Sequence, residues 1–329
     1  MLKFIANRLL LFIPTLIAIS IVTFVLIQLP PGDYVTSYLM ELEQSGQEVT
    51  AELATALRQR YGLDDPMVIR FFKWIGNIVL RGDFGYSMQW NRPVGDLIWE
   101  RIGWTVAISL ATMLFTWLLA FPIGVYSATH QYSPLDYVFT LIGFLGQSVP
   151  NFLIALVFMW LGYKWFGLEI GGLFSEAYLE APWSWPKFVD LLNHLWVPMV
   201  VLGTAGTAGL IRTLRANLLD EIRKPYVVTA RAKGLPERRV IWKYPVRVAI
   251  NPFISSTAYM LPGLISGATI VSVVLSLPTT GPMQLRALMS QDMYLAGSFL
   301  LILSSLTVLG TLVSDILLAW VDPRIRVSG

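Results

Sequence analysis

From Val248 to Leu285 the chain runs for 38 residues without one Asp, Glu, Lys or Arg. Such a run must be shielded from water, and about 20 apolar residues suffice for one helix to cross a bilayer's hydrocarbon core. Inside that core the backbone N–H and C=O groups have to pair with one another, so a spanning segment is a helix or part of a closed barrel. This run exceeds one span, and Leu277-Pro278-Thr279-Thr280-Gly281-Pro282 reads as the loop that ends it.

Five more runs share the pattern: Leu9–Leu29, Ile102–Ala128, Tyr137–Tyr163, Leu195–Ile211 (with a start reaching back toward Leu191) and Leu295–Ser314. Only 14% of residues are charged and 55% are hydrophobic, whereas a soluble domain carries roughly 25% charge. The expectation is an all-α integral membrane protein with six transmembrane helices. Lys3 and Arg8 before the first run give it the look of a secretory signal. Its apolar stretch is too long for that, and no small-x-small cleavage site precedes Pro30-Pro31-Gly32-Asp33, so it reads as a retained helix.

Six spans put both termini on one side. The N-terminus, the segment Arg212–Arg247 and the C-terminus hold 2, 10 and 2 Lys/Arg residues, and cytoplasmic loops carry the basic excess. Residues 30–101 hold 7 Lys/Arg against 10 acids and are expected outside. The chain thus divides into an N-terminal span (1–29), an extracytoplasmic helical segment (30–101) and a five-helix core (102–329) that includes the cytoplasmic loop 212–247. In the outer segment, Ala51–Arg60 reads as a helix ended by Tyr61-Gly62. Asp65-Pro66 caps a second one running toward Leu80, with Phe71, Phe72, Trp74 and Ile75 on its apolar face. That face can lie on the protein's own core or on lipid headgroups, or it can receive an extracytoplasmic partner; periodicity does not separate these.

Several function classes fall away. There is no cysteine, hence no disulfide, thiolate metal site or Cys nucleophile, and His130 and His194 stand apart at membrane boundaries. The net charge of +3 forms no exposed stripe for nucleic acid. No G-x-x-x-x-G-K-[ST] is present, so ATP chemistry belongs to other chains. Two other classes remain as lesser alternatives: a membrane enzyme, for which no reactive constellation is present, and a secondary transporter, which would place coupling charges at mid-membrane, where the spans are nearly empty of charge.

Much of the positive charge gathers in Val227–Val246, where Arg231, Lys233, Arg238, Arg239 and Lys243 face one acid, Glu237, for a net +4. Pro225 suits a helix's first turn, Tyr226–Lys233 has no breaker, Gly234 suits a left-handed C-terminal position, and Pro236 forbids continuation. The spacing predicts a helix of about two turns with Ala230 and Gly234 a turn apart. A helix that short is marginal alone and needs something to lie against. Headgroup attraction accounts for the sign of the charge; a protein-docking element accounts also for the small residues at its centre.

Thr229-Ala230-Arg231-Ala232-Lys233-Gly234-Leu235 resembles the Glu-Ala-Ala loop of ABC importer permeases, in the form found in the dipeptide/oligopeptide/nickel permease family. The likeness runs nearly end to end. It includes Arg8-Leu9-Leu10 through Pro31-Gly32-Asp33, Tyr61–Pro66, Arg81–Ser87, Arg92-Pro93-Val94, Ser148–Phe152 and the closing Asp322-Pro323-Arg324-Ile325-Arg326. The resemblance implies a type I ABC importer permease fold in a bacterial inner membrane and no cofactor bound by this chain. Its implied partners are a second homologous permease, two ATPase subunits carrying ATP and Mg, an extracytoplasmic solute-binding protein, and membrane lipid. It also implies that Tyr226–Gly234 is the coupling helix seated in an ATPase cleft, with Pro225, Tyr226, Thr229, Ala230, Arg231, Lys233, Gly234 and Leu235 as its working residues.

The chain departs from the family at Tyr34, at Leu277–Met283 and at Ser314-Asp315. These departures bear on solute class, since the group imports peptides and also oligosaccharides and opines. Asp315 sits at a span edge, where an ionisable residue can mark a solute path; the favoured reading is that it reaches water or pairs with a basic neighbour such as Arg324. Gly263-x-x-x-Gly267 and Gly203–Gly209 are small-residue faces suited to close helix packing. Met260, Ser266 and Thr269 are candidates for a central pathway on position alone.

Overall fold

The computed structural model describes residues 2–29, 32–45, 50–167, 170–251, 254–255 and 268–321. In chain order the elements are α1 (Leu2–Gln28), α2 (Tyr34–Gln44), α3 (Ala51–Tyr61), α4 (Met67–Arg81), β1 (Tyr86–Ser87), β2 (Arg92–Pro93), α5 (Val94–Thr129), α6 (Pro134–Ser148) and α7 (Asn151–Phe166). There follow α8 (Trp185–Ile222), α9 (Pro225–Ala232), α10 (Glu237–Lys243), α11 (Pro245–Ala249), α12 (Thr269–Val274), α13 (Thr280–Met289) and α14 (Met293–Val321). Among the described residues, four helical stretches are each long and apolar enough to cross a membrane: Leu10–Gln28, Val94–Thr129, Trp185–Ile222 and Met293–Val313. Of the expected fifth span, Val248–Leu285, residues 252–253 and 256–267 lie outside the described residues.

Two expected spans differ in shape. Tyr137–Tyr163 is not one straight helix: α6 and α7 meet at a bend of 102°. Pro150 explains the break, because its ring pushes the preceding residue out of the helical region. Val149 is accordingly extended at φ −96°, ψ 126°. The expected Leu195–Ile211 is the middle of α8, which continues to Ile222 because nothing in Arg212–Glu221 breaks a helix. Nor does the expected terminating loop run from Leu277 to Pro282: α13 begins at Thr280.

The chain forms two compact units, one comprising Met1–Ile5, Val106–Pro278 and Thr307–Gly329, the other Ala6–Thr105 and Thr279–Leu306. In the first, α6, α7 and α11 all pack on α8. Small residues set the approach. A Cβ added at Gly146 of α6 would overlap the Thr204 methyl of α8, and one at Gly143 would touch the Ala208 Cβ at 3.4 Å. On the α5 side, a Cβ at Gly203 would lie 3.0 Å from Thr116 Oγ1, and one at Gly124 3.0 Å from a Leu214 methyl. Gly203, Thr204 and Ala208 of the stripe Gly203–Gly209 are therefore spent on packing inside this unit.

In the second unit α2 packs on α3. Thr50 Oγ1 accepts from the Leu53 N–H at the start of α3 (3.3 Å), and Gly62 closes it at φ 64°. Asp65 does not cap α4; Pro66 stands at the cap and the Asp65 carboxylate takes Lys73 Nζ at 2.6 Å. Phe71, Trp74, Ile75 and Ile78 of α4 pack with Ile19 and Phe24 of α1 and Tyr294 and Leu301 of α14. The antiparallel pair β1–β2 aligns Ser87 with Arg92. Buried Asp292 accepts from Ser87 Oγ (2.6 Å), the Gln89 N–H (3.2 Å) and the Leu295 N–H (3.3 Å), which ties that hairpin to the start of α14.

Gly146→Val is expected to lower stability by about 1–3 kcal/mol, since an extra side chain in a filled contact forces neighbours off their rotamers. A reduced thermal midpoint of the purified permease checks it, and an unchanged midpoint contradicts the α6–α8 contact.

Candidate functional site

The basic loop is a helical hairpin standing on the ends of two long helices. Its base is a buried cluster of Ala120, Val125 and Ala128 from α5, Leu210, Leu214 and Leu218 from α8, Ile241 from α10, and Val246 and Ala249 from α11. Above it α9 packs on α10 through Val227, Ala230 and Val240, with Leu235 and Tyr244 alongside. The predicted two-turn helix is present, bounded at Pro225 and Ala232 rather than Tyr226 and Gly234. Gly234 follows the C-terminal residue Lys233 with φ 75°, a left-handed conformation that costs a residue with a Cβ roughly 1–2 kcal/mol.

Ala230 overturns one expectation. It is only 5% exposed and covered by Val240, so its small size serves the contact with α10, leaving no open patch there for another backbone. The outward face carries Tyr226, Val228, Thr229, Arg231, Lys233 and Gly234. A Cβ built on Gly234 meets nothing within 4 Å in this chain. Hydrophobic periodicity did not expose the role of Ala230; the partner face on α10 is what decides it.

Two contacts hold the hairpin's shape. Arg231 grips Glu237 with both arms, Nη2 to Oε1 at 2.6 Å and Nε to Oε2 at 3.0 Å, across the Gly234-Leu235-Pro236 turn. The Arg231 hydrogen bonds hold the Glu237 carboxyl below its usual range, and Glu237 in turn raises the guanidinium. At the other end the Tyr226 hydroxyl donates to Glu221 Oε2, joining the start of α9 to the last turn of α8. Partial burial, then that carboxylate, push the phenol well above its ordinary value. Arg223, Lys224, Lys233, Arg238, Arg239 and Lys243 remain exposed around this frame.

A further tie was missed in the sequence. Buried Asp136, in the first turn of α6, receives Arg215 of α8 in bidentate fashion, Nε to Oδ1 at 3.1 Å and Nη2 to Oδ2 at 2.8 Å. The Tyr132 N–H adds a third donor at 3.0 Å. The only sequence signal was one acid in a turn without Lys or Arg, with its partner 79 residues away. Beside it, Phe139, Gly143, Gln147, Ala208, Arg212 and Arg215 line a groove of about 220 Å³.

Of the expected pathway residues, Thr269 opens α12 and is half-buried. Met260 and Ser266, with Gly263, Gly267 and the closing Asp322–Arg326, fall outside the described residues. Among the described residues no group of three or more His, Cys, Asp or Glu is placed to hold a metal.

Because Glu237 titrates below its unfolded value, the clamp's contribution is present above about pH 4.5 and is lost as pH falls through the lowered value. Protection of the 234–240 amides against hydrogen exchange, corrected for intrinsic rates, should decline in that window and be pH-independent in Glu237→Gln. For an exposed pair the effect is about 0.2–1 kcal/mol. Identical profiles for the two proteins contradict the clamp.

Residues 120–327 match the family described as binding-protein-dependent transport system inner membrane component, and residues 1–111 match its N-terminal companion. The oligopeptide transport system permease protein AppB of Bacillus subtilis (strain 168) is 35% identical over 99% of this chain and its own full length. The oligopeptide permease OppB of Mycobacterium tuberculosis (strain ATCC 25618 / H37Rv) is 31% identical over the whole of both chains. The dipeptide permease DppB of Alkalihalophilus pseudofirmus is 29% identical over 99% of this chain and all of its own. Among solved structures, a chain of the MetNI methionine ABC transporter in an inward-facing conformation superposes with TM-score 0.52 at 15% identity. The match covers 69% of this chain and 96% of that one, and it is a likeness of fold. With both family segments matched in order and relatives aligned over their full length, the chain belongs to the binding-protein-dependent transport system inner membrane component family, as a permease with the type I ABC importer fold.

Proposed function

We propose that this chain is one permease subunit of an ATP-driven importer, lining half of a translocation pathway for a peptide-sized solute, an oligopeptide or dipeptide. The observation that carries this is similarity to AppB, OppB and DppB over the whole chain, outer segment included. An extracytoplasmic binding protein delivers the solute on the side of residues 30–101. A second homologous permease completes the pathway, and two ATPase subunits, holding ATP and Mg, sit on the cytoplasmic face with both termini. The membrane is a bacterial inner membrane.

In this scheme α9 is the coupling helix. Tyr226, Thr229, Arg231, Lys233 and Gly234 face the ATPase, while Pro225, Ala230 and Leu235 shape the helix from within. Closure of the ATPase pair pushes on α9. The Val227–Ala230–Val240 contact, the Arg231–Glu237 clamp and the Tyr226–Glu221 bond support its movement with α10 and the end of α8 as one piece. Met260, Ser266 and Thr269 belong to the solute path on this scheme.

Copurification from the native membrane should bring a second permease and ATPase chains. ATP hydrolysis by the reconstituted complex should then rise when the binding protein is loaded with peptide, and a lone chain would overturn the proposal. Gly234→Asp should leave assembly intact and uncouple uptake from hydrolysis. No described atom lies within 4 Å of a Cβ built there, but the φ of 75° strains the turn for any side chain, so loss of uptake reports the partner face when Gly234→Ala, which meets the same strain, keeps uptake. Normal uptake by Gly234→Asp would sink the coupling role.

A further inference from the structure

α4 has three faces where an ordinary surface helix has two. On a wheel of about 100° per residue, Phe71, Trp74, Ile75 and Ile78 form the arc packed on α1 and α14. Arg70, Lys73, Asn77 and Arg81 form a polar arc. Between these lies a second apolar arc that nothing among the described residues covers: Val68, Phe72, Val79 and Leu80 are 66%, 65%, 72% and 83% exposed. A solvated helix has no physical reason to keep that arc apolar.

The depth of the helix says what meets it. Its inward arc touches Phe24 and Ile19 of α1, whose apolar stretch ends at Gln28. At about 1.5 Å per residue these positions lie about 6 Å and about 13 Å before the end of that stretch. On α14 it reaches Leu301, about 12 Å past Met293, where the apolar stretch of that helix starts. The neighbouring surface of α1 is itself exposed and apolar at Ile21, Val22, Val25 and Leu26, so the open arc of α4 continues a surface already built for acyl chains. With 15 residues α4 is about 22 Å long, short of a crossing of about 30 Å. Its charges are held toward one side: Arg70 Nη2 donates to Gln28 Oε1 at the end of α1 (2.7 Å), and Lys73 pairs with Asp65 (2.6 Å).

We propose that α4 is embedded in one leaflet of the membrane, its Val68–Phe72–Val79–Leu80 arc against lipid acyl chains and its Arg70–Lys73–Arg81 arc toward the headgroups. On the orientation proposed above, this is the leaflet facing away from the cytoplasm. Helices with a basic polar face and a wide apolar one sit at this boundary, and long basic side chains reach from it to water. The arc is thereby assigned to lipid and withheld from the solute-binding protein.

The chain has no cysteine, which allows single nitroxide labels in the assembled transporter in lipid nanodiscs. Labels at Val68→Cys, Phe72→Cys and Val79→Cys should show the high oxygen and low nickel-chelate accessibility of a label at lipid-exposed Val22→Cys. Their oxygen-to-nickel ratio should be several-fold above that of Glu52→Cys, on the exposed surface of α3. Nickel access equal to Glu52→Cys would overturn the proposal. Protection that arises only on adding the binding protein would overturn it too, in favour of a docking face. As a check on the unaltered chain, a lipid with a diazirine in its acyl chain should label Met67–Leu80, and absence of label there would likewise refute the embedding.

Discussion

Close approach to α8 is the contact on which the permease unit depends. Lipid is as apolar as leucine, so helices in a membrane gain little by hiding apolar surface from it; they associate through fitted packing and polar bonds. Gly143 and Gly146 of α6 meet Ala208 and Thr204 of α8, Gly203 meets Phe115 and Thr116 of α5, and Gly124 meets Leu214. The Asp136–Arg215 pair then sets the register of α6 along α8 with two directional bonds. Packing supplies the attraction and the ion pair supplies the position.

The basic loop inherits its rigidity from this arrangement. Helices of eight, seven and five residues cannot hold themselves in water, because nucleation outweighs the few bonds they close. They persist here because α10 and α11 pack on the ends of α5 and α8, and α9 packs on α10. A force applied to α9 is thus borne by packed side chains and a two-armed ion pair. Packed contacts of this kind have discrete arrangements and do not deform continuously.

Local chemistry was legible wherever one residue type has few alternatives. Pro225, Gly234 and Pro236 bounded α9 to within two residues, and Tyr61-Gly62 marked the end of α3. Charge-free runs located the long helices. Legibility stopped where the outcome depended on a distant partner. Ala230 reads as a small residue waiting for a visitor until Val240 is seen to cover it. Asp136 and Arg215 carry no mutual signal across their separation, and the bend at Val149 is foreshadowed only by the following proline.

The sequence by itself determined that this is a membrane permease, where the short basic helix begins and ends, and which loop carries the positive charge. Those properties follow from residue-level energetics: transfer of apolar side chains, the missing N–H of proline, the free φ of glycine. Tertiary structure alone decided which small residues are spent on helix contacts, which face of α9 is exposed, and that α4 has an apolar arc uncovered by the described residues. Burial is a property of pairs of surfaces, and one surface read along its own chain does not name the other.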